Sequence, residues 1–131
     1  MKHVNILIVV LSLLLSACAS TIQTENKIPM MDISSEQDTS RATSSLLAKV
    51  DIQEAAQNWE RAAALLERAL RIEPRNANLW HRLAQIRLQQ GQHLLAENLA
   101  QKSSALARDN AQLQEKNTRL IKQARALAKE N

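Results

Sequence analysis

The sequence repeats itself with a period of 34 residues, and this repeat constrains the fold more than any other feature. Sliding the chain by one period places residues 43–76 on residues 77–110. The paired positions carry the same or similar side chains: Leu46 with Trp80, Val50 with Ala84, Ala62 with Ala96, Leu65 with Leu99, Ile72 with Leu106 and Asn76 with Asn110. Such a period indicates a supersecondary unit that stacks on a copy of itself, because one unit alone cannot bury its apolar face.

Within each unit the apolar residues recur at helical spacing. In the first unit these residues are Ala62, Leu65, Leu66, Ala69, Leu70 and Ile72. Their three- and four-residue steps predict a helix with one apolar face. Ala, Leu, Gln, Arg and Glu dominate and favour helix, whereas the chain lacks Phe and Tyr, which favour strands. Gly91 suits an inter-helix turn, Pro74 ends a helix, and Asn76 or Asn78 can cap the next one. We therefore predict an all-α domain.

The repeat resembles the tetratricopeptide repeat, a helix–turn–helix unit. Trp80, Leu83 and Ala84 stand where that family places a Trp, a Leu and a small residue. Gly91 stands at its inter-helix turn. The resemblance implies two tetratricopeptide repeats over residues 43–110.

Residues 111–131 predict one further helix. Its apolar stripe comprises Leu113, Leu120, Ala124 and Leu127. Repeat arrays need a terminal helix with a polar outer face, so we predict a capping helix here. A coiled-coil or partner-binding helix is the alternative. Two repeats and a cap make a small array, and a partner or self-association is expected to support it.

The amino terminus predicts a signal peptide over residues 1–17. Lys2 supplies a basic start, and residues 4–14 are almost wholly apolar. This apolar stretch is shorter than the roughly 20 residues that a bilayer span requires. After the cut we expect residue 18 and a flexible tether to residue 42, because Ser, Thr, Gln, Glu and Asp dominate there.

The run Leu15-Ser16-Ala17-Cys18 resembles the lipobox of bacterial lipoproteins, and Cys18 is the only cysteine. The resemblance implies acyl chains such as palmitate on Cys18, and hence a membrane anchor. In Gram-negative lipoproteins an aspartate after the cysteine retains the protein in the inner membrane. Ala19 stands there, which points to the outer membrane, facing the periplasm.

The sequence contains no pattern typical of a catalytic site. His81 and His93 fall on different predicted helices and have no cysteine beside them, so we predict neither a metal site nor an enzyme. Beyond the lipid we predict no cofactor. The net charge is +4, but two aromatic residues offer few stacking platforms, so nucleic acid is not an expected partner.

The family pattern implies a binding groove lined by the first helix of each repeat. The matching positions are Leu47, Asp51 and Glu54 in the first repeat, and Asn78, His81, Gln85 and Leu88 in the second. Family members that grip a peptide carboxylate carry Lys and Asn where Leu47 and Asp51 stand, so we do not predict that clamp. A mixed polar and apolar groove suits an extended segment or a helix of a protein partner.

A lipobox, a tether and a short tetratricopeptide domain together resemble the Lpo-type outer-membrane lipoproteins. These proteins activate class A penicillin-binding proteins, the bifunctional peptidoglycan synthases. The resemblance implies an accessory regulator of such a cell-envelope machine. The alternative is a structural pilotin or an assembly factor for pili or porins.

We expect replacement of Cys18 by Ser to abolish lipidation and membrane association. Stable anchoring requires more than one acyl chain, and serine offers no thiol to acylate. Labelled palmitate should enter the wild-type chain and not Cys18→Ser, as read by autoradiography of fractionated cells. Equal incorporation into both chains would contradict a lipid on Cys18.

Overall fold

The computed structural model describes residues 33–130, and side chains from residue 36 onward. This part of the chain forms five helices and no strand: α1 (Ile33–Ala55), α2 (Trp59–Ile72), α3 (Ala77–Gln89), α4 (His93–Leu106) and α5 (Ala111–Glu130). Each helix packs against the next one in the sequence, and α5 also reaches α3. The predicted all-α architecture of two helix pairs and a final helix is confirmed.

Helix α1 begins at Ile33, ten residues before the predicted start of the repeats at residue 43. The prediction of a tether to residue 42 is therefore wrong for residues 33–42, which are helical. Residues 33–42 are mainly polar and show no apolar residues at helical spacing. A helix that is nucleated by packing of its later residues extends toward its start at little cost, because each added residue gains one hydrogen bond. Thr43 and Leu46 are buried and provide that packing. The predicted signal peptide, Cys18 and the predicted tether up to residue 32 lie outside the described residues.

Short turns separate the helices and use the expected residues. Asn76 caps α3, because its side chain accepts from the backbone N–H of Asn78 (3.1 Å) and Leu79 (3.4 Å). Asn110 accepts from the N–H of Leu113 at 3.0 Å and caps α5. Gly91 has a φ of +72°, in the region that favours glycine. The predicted roles of Asn76 and Gly91 are confirmed.

The core consists of two adjoining clusters of buried side chains. The first cluster joins α1, α2 and α3 around Val50, Leu66 and Ile86. The second joins α3, α4 and α5 around small residues, with Leu120 as its largest buried member. Leu99 packs against both clusters and links them.

Residues 33–130 belong to one compact unit, and both core clusters lie within it. A unit with its own core is expected to fold independently. None of its described helices combines the length and apolar character that crossing a membrane requires.

Truncating Leu66 should destabilise the domain far more than truncating Leu94. Leu66 is 0% exposed and Leu94 is 70% exposed. Leu66→Ala should lower the free energy of unfolding by about 2–5 kcal/mol, through lost burial and the cavity that remains. Leu94→Ala should change it by less than about 0.5 kcal/mol. Urea unfolding followed by circular dichroism measures both, and similar losses would contradict this packing.

Candidate partner-binding groove

A groove of about 460 Å³ runs between α3 and α5, and we call it the α3–α5 groove. Its wall on α3 consists of His81, Gln85, Leu88 and Gln89, and its wall on α5 consists of Lys116, Arg119, Leu120 and Gln123. Helix α3 is the first helix of the second repeat, and α5 occupies the place of the first helix of a further repeat. The groove therefore pairs α3, a predicted groove helix, with α5 and not with α1.

The structure brings together three of the seven predicted groove residues. His81, Gln85 and Leu88 line the α3–α5 groove. Leu47 instead packs against the edge of the first core cluster. Asn78 is exposed and lies beside the turn between α4 and α5, where a separate depression forms.

The remaining two predicted residues, Asp51 and Glu54, bind an arginine on α3. Arg82 donates to Glu54 through Nε (3.0 Å) and Nη2 (2.7 Å), and Nη2 also donates to Asp51. The hydrogen bond to Glu54 contributes most to raising the pKa of Arg82, and that to Asp51 adds to it, against the opposing effect of burial. Both carboxylates are thus occupied in bracing α1 against α3, which explains why they do not line an open groove.

A chain of hydrogen bonds beneath the groove holds His81 in place. Ser103 Oγ donates to the carbonyl of Ala77 at 2.8 Å, so it must accept from Asn117 Nδ2, also at 2.8 Å. The carbonyl Oδ1 of Asn117 therefore faces His81 Nδ1, 2.6 Å away. Because that oxygen can only accept, Nδ1 carries the proton, and Nε2 is the acceptor of the neutral ring.

Burial is the largest influence on the charge state of His81. It lowers the pKa of His81, and the positive charge of Lys116 lowers it further, while the hydrogen bond to Asn117 acts in the opposite direction. A neutral His81 at neutral pH presents the groove with a hydrogen-bond acceptor at Nε2 and no charge.

The electrostatic character of the groove is polar and basic. Three glutamine amides line it, and Lys116 and Arg119 supply two cations. Arg119 lies 3.3 Å from Glu115, but both side chains are about two-thirds exposed, and such a pair contributes little. These groups suit hydrogen bonds to the backbone, amides or carboxylates of an extended segment. Within residues 33–130 no cluster of His, Cys, Asp or Glu is suited to holding a metal ion.

Sequence reasoning missed the α5 wall of the groove. It assigned α5 to capping, with a coiled-coil or partner-binding helix as the alternative, and named no groove residue such as Lys116, Arg119 or Gln123 on it. One signal was available: Asn117 falls within the apolar stripe, four residues after Leu113, and it is fully buried. A polar residue at a buried register position must find a hydrogen-bond partner on a neighbouring helix.

Two comparisons with known proteins agree with this geometry. The pattern of the tetratricopeptide repeat family matches residues 54–120, which include the first half of α5. The solved globular C-terminal domain of P. aeruginosa LpoP is similar at 37% sequence identity and a TM-score of 0.64. The alignment covers 66% of this chain and 81% of that one. No curated protein sequence matches the chain.

Acid should remove the stability that neutral His81 confers. A pKa below that of the unfolded chain means that the unfolded state binds more protons, so stability falls as the pH drops below about 6.5. The difference in unfolding free energy between wild type and His81→Gln should therefore shrink from pH 7.5 to pH 5.5. Urea unfolding at both pH values measures it, and a difference independent of pH would contradict a depressed pKa.

Proposed function

The chain belongs to the tetratricopeptide repeat family, and we propose that it is a lipid-anchored regulator of a class A penicillin-binding protein. At the coarser level it is a protein-interaction module of the tetratricopeptide type. The finer proposal is that the domain hangs from Cys18 at the outer membrane, faces the periplasm and binds its synthase partner in the α3–α5 groove.

The observation that carries the proposal is the likeness to the LpoP domain. At 37% identity over 81% of that domain, the two chains share more than a helical architecture. The arrangement of signal sequence, lipobox and repeats resembles the same Lpo-type lipoproteins, whose role is to activate class A synthases. The domain likeness and the amino-terminal motif support the proposal independently, because they rest on different parts of the chain.

The chemistry of the α3–α5 groove is consistent with a regulatory contact. Its amides and two cations can hold the backbone and acidic side chains of a partner segment, while Leu88 and Leu120 offer limited apolar contact. Binding through polar and charged groups favours fast, reversible association over permanent assembly.

We expect residues 19–131 to accelerate glycan polymerisation by the purified class A synthase of the same cell. Lys116→Glu combined with Gln85→Glu should weaken the binding of the domain to the synthase by about tenfold, because it reverses the charge of the groove. Both side chains are exposed, so the fold should persist. Lipid II turnover and surface plasmon resonance measure the two effects.

Lys122→Glu is the control, since it repeats the Lys-to-Glu substitution of Lys116 at an exposed position on α5 outside the groove. It should leave activation and affinity unchanged. Lack of activation by wild type would overturn the synthase proposal. If the groove variant still activated the synthase but Lys122→Glu did not, the contact would lie elsewhere on α5.

A further inference from the structure

A second groove lies on the opposite side of α3. It has a volume of about 430 Å³ and is lined mainly by apolar side chains of α2, α3 and α4 and of the turn after α2: Leu70, Pro74, Trp80, Leu83, Leu95 and Leu99. We call it the Trp80 groove. Trp80 and Leu83 lie one turn apart on one face of α3, whereas His81 and Gln85 lie on another face. The two grooves are therefore separate surfaces.

The Trp80 groove is preformed. Trp80 Nε1 donates to the carbonyl of Pro74 at 2.8 Å, which fixes the ring across the end of α2. The ammonium of Lys102 lies 6.0 Å from the centre of the ring. Leu95 at the lip is 40% exposed, and its neighbour Leu94 is 70% exposed. A rigid aromatic wall beside exposed leucines resembles the apolar centre of a protein–protein interface.

The charges around this groove are mainly positive. Arg71 and Arg87 line it, and Lys102 stands over its aromatic wall. The one carboxylate among the lining residues, that of Glu67, is already bound by Nη2 of Arg87. The groove therefore has an excess of positive charge, from Arg71 and Lys102. This excess favours the binding of a segment that carries a carboxylate.

Arg87 is held in the wall of the groove by its guanidinium nitrogens. Its Nη1 donates to Gln90 at 2.9 Å, but its Nε is buried and has no hydrogen-bond partner among the described residues. This donor belongs to a residue in the wall of the groove.

We propose that the Trp80 groove is a second docking surface, which binds the apolar face of a partner helix flanked by Asp or Glu. The leucines and Trp80 receive the apolar side chains, and Arg71 and Lys102 pair with the flanking acid. A second copy of this chain is a poor occupant, because a twofold contact sets the same surface against itself and brings the cations together. The surface is distinct from the α3–α5 groove and does not depend on the identity of the partner bound there.

Two designed peptides test the proposal. Both are helices of about 18 residues with leucines at positions i, i+3, i+4 and i+7, flanked by Glu in one and by Lys in the other. Fluorescence anisotropy with residues 19–131 should show the Glu peptide binding at least about tenfold more tightly than the Lys peptide. Leu95→Glu should weaken the Glu peptide about tenfold, since it places a charge in the apolar lip.

Charge reversal sharpens the test. Arg71→Glu should weaken the Glu peptide about fivefold and strengthen the Lys peptide, whereas Arg119→Glu in the α3–α5 groove should change neither. Circular dichroism verifies that each variant is folded. Equal binding of the two peptides, or no effect of Leu95→Glu, would overturn the proposal.

Two further results would assign the surface to another occupant and overturn it. One is a concentration-dependent dimer, seen by sedimentation and abolished by Leu95→Glu. The other is Glu-peptide binding that appears only when residues 19–31 are removed. If the wild-type domain activated the synthase but bound neither peptide, only the proposal for the Trp80 groove would be refuted. The proposed function would stand, because activation is assigned to the α3–α5 groove.

Discussion

Close approach of helices at alanine residues is the constraint on which the rest of the structure depends. Ala62 and Ala69 on α2, Ala84 on α3, and Ala96 and Ala100 on α4 are all completely buried. A methyl group at a crossing point lets two helices approach closely, and the leucines beside it then interdigitate. Since the chain has no Phe or Tyr and only two Trp, few large side chains are available to fill wide gaps between helices.

The hydrogen bonds of Asn117 fix the register of α5 within this apolar packing. Leucines and alanines on α5 can slide along a neighbouring helix at modest cost, because apolar contacts are not directional. A buried amide that must meet Ser103 on α4 and His81 on α3 accepts only one register. The α5 wall of the α3–α5 groove is thereby set opposite the α3 wall. A stabilising contact in the interior thus determines which groups face a partner at the surface.

The periodic parts of the fold could be predicted from the sequence, and the parts set by long-range pairing could not. The repeat register located α2, α3 and α4, because Pro74, Asn76 and Gly91 act within a few residues of their own positions. The start of α1 has no such local signal, since its first residues are polar and continue a helix that is packed further along. The pairing of Arg82 with Asp51 and Glu54 spans about thirty residues, so no local pattern indicates it. His81, Gln85 and Leu88 lie together in the α3–α5 groove because they share one face of one helix, and their contact with a partner stays a prediction.

The position of Trp80 has an optical consequence. Trp59 and Trp80 are the only aromatic residues of the chain, so they account for its near-ultraviolet emission. Trp59 packs against the first core cluster, Trp80 forms a wall of the Trp80 groove under Lys102, and neither lines the α3–α5 groove. A ligand in the Trp80 groove displaces water from the Trp80 ring and thereby changes its fluorescence. A ligand in the α3–α5 groove leaves the surroundings of both tryptophans unchanged. The protein therefore carries a natural fluorophore that distinguishes occupancy of its two faces without any added label.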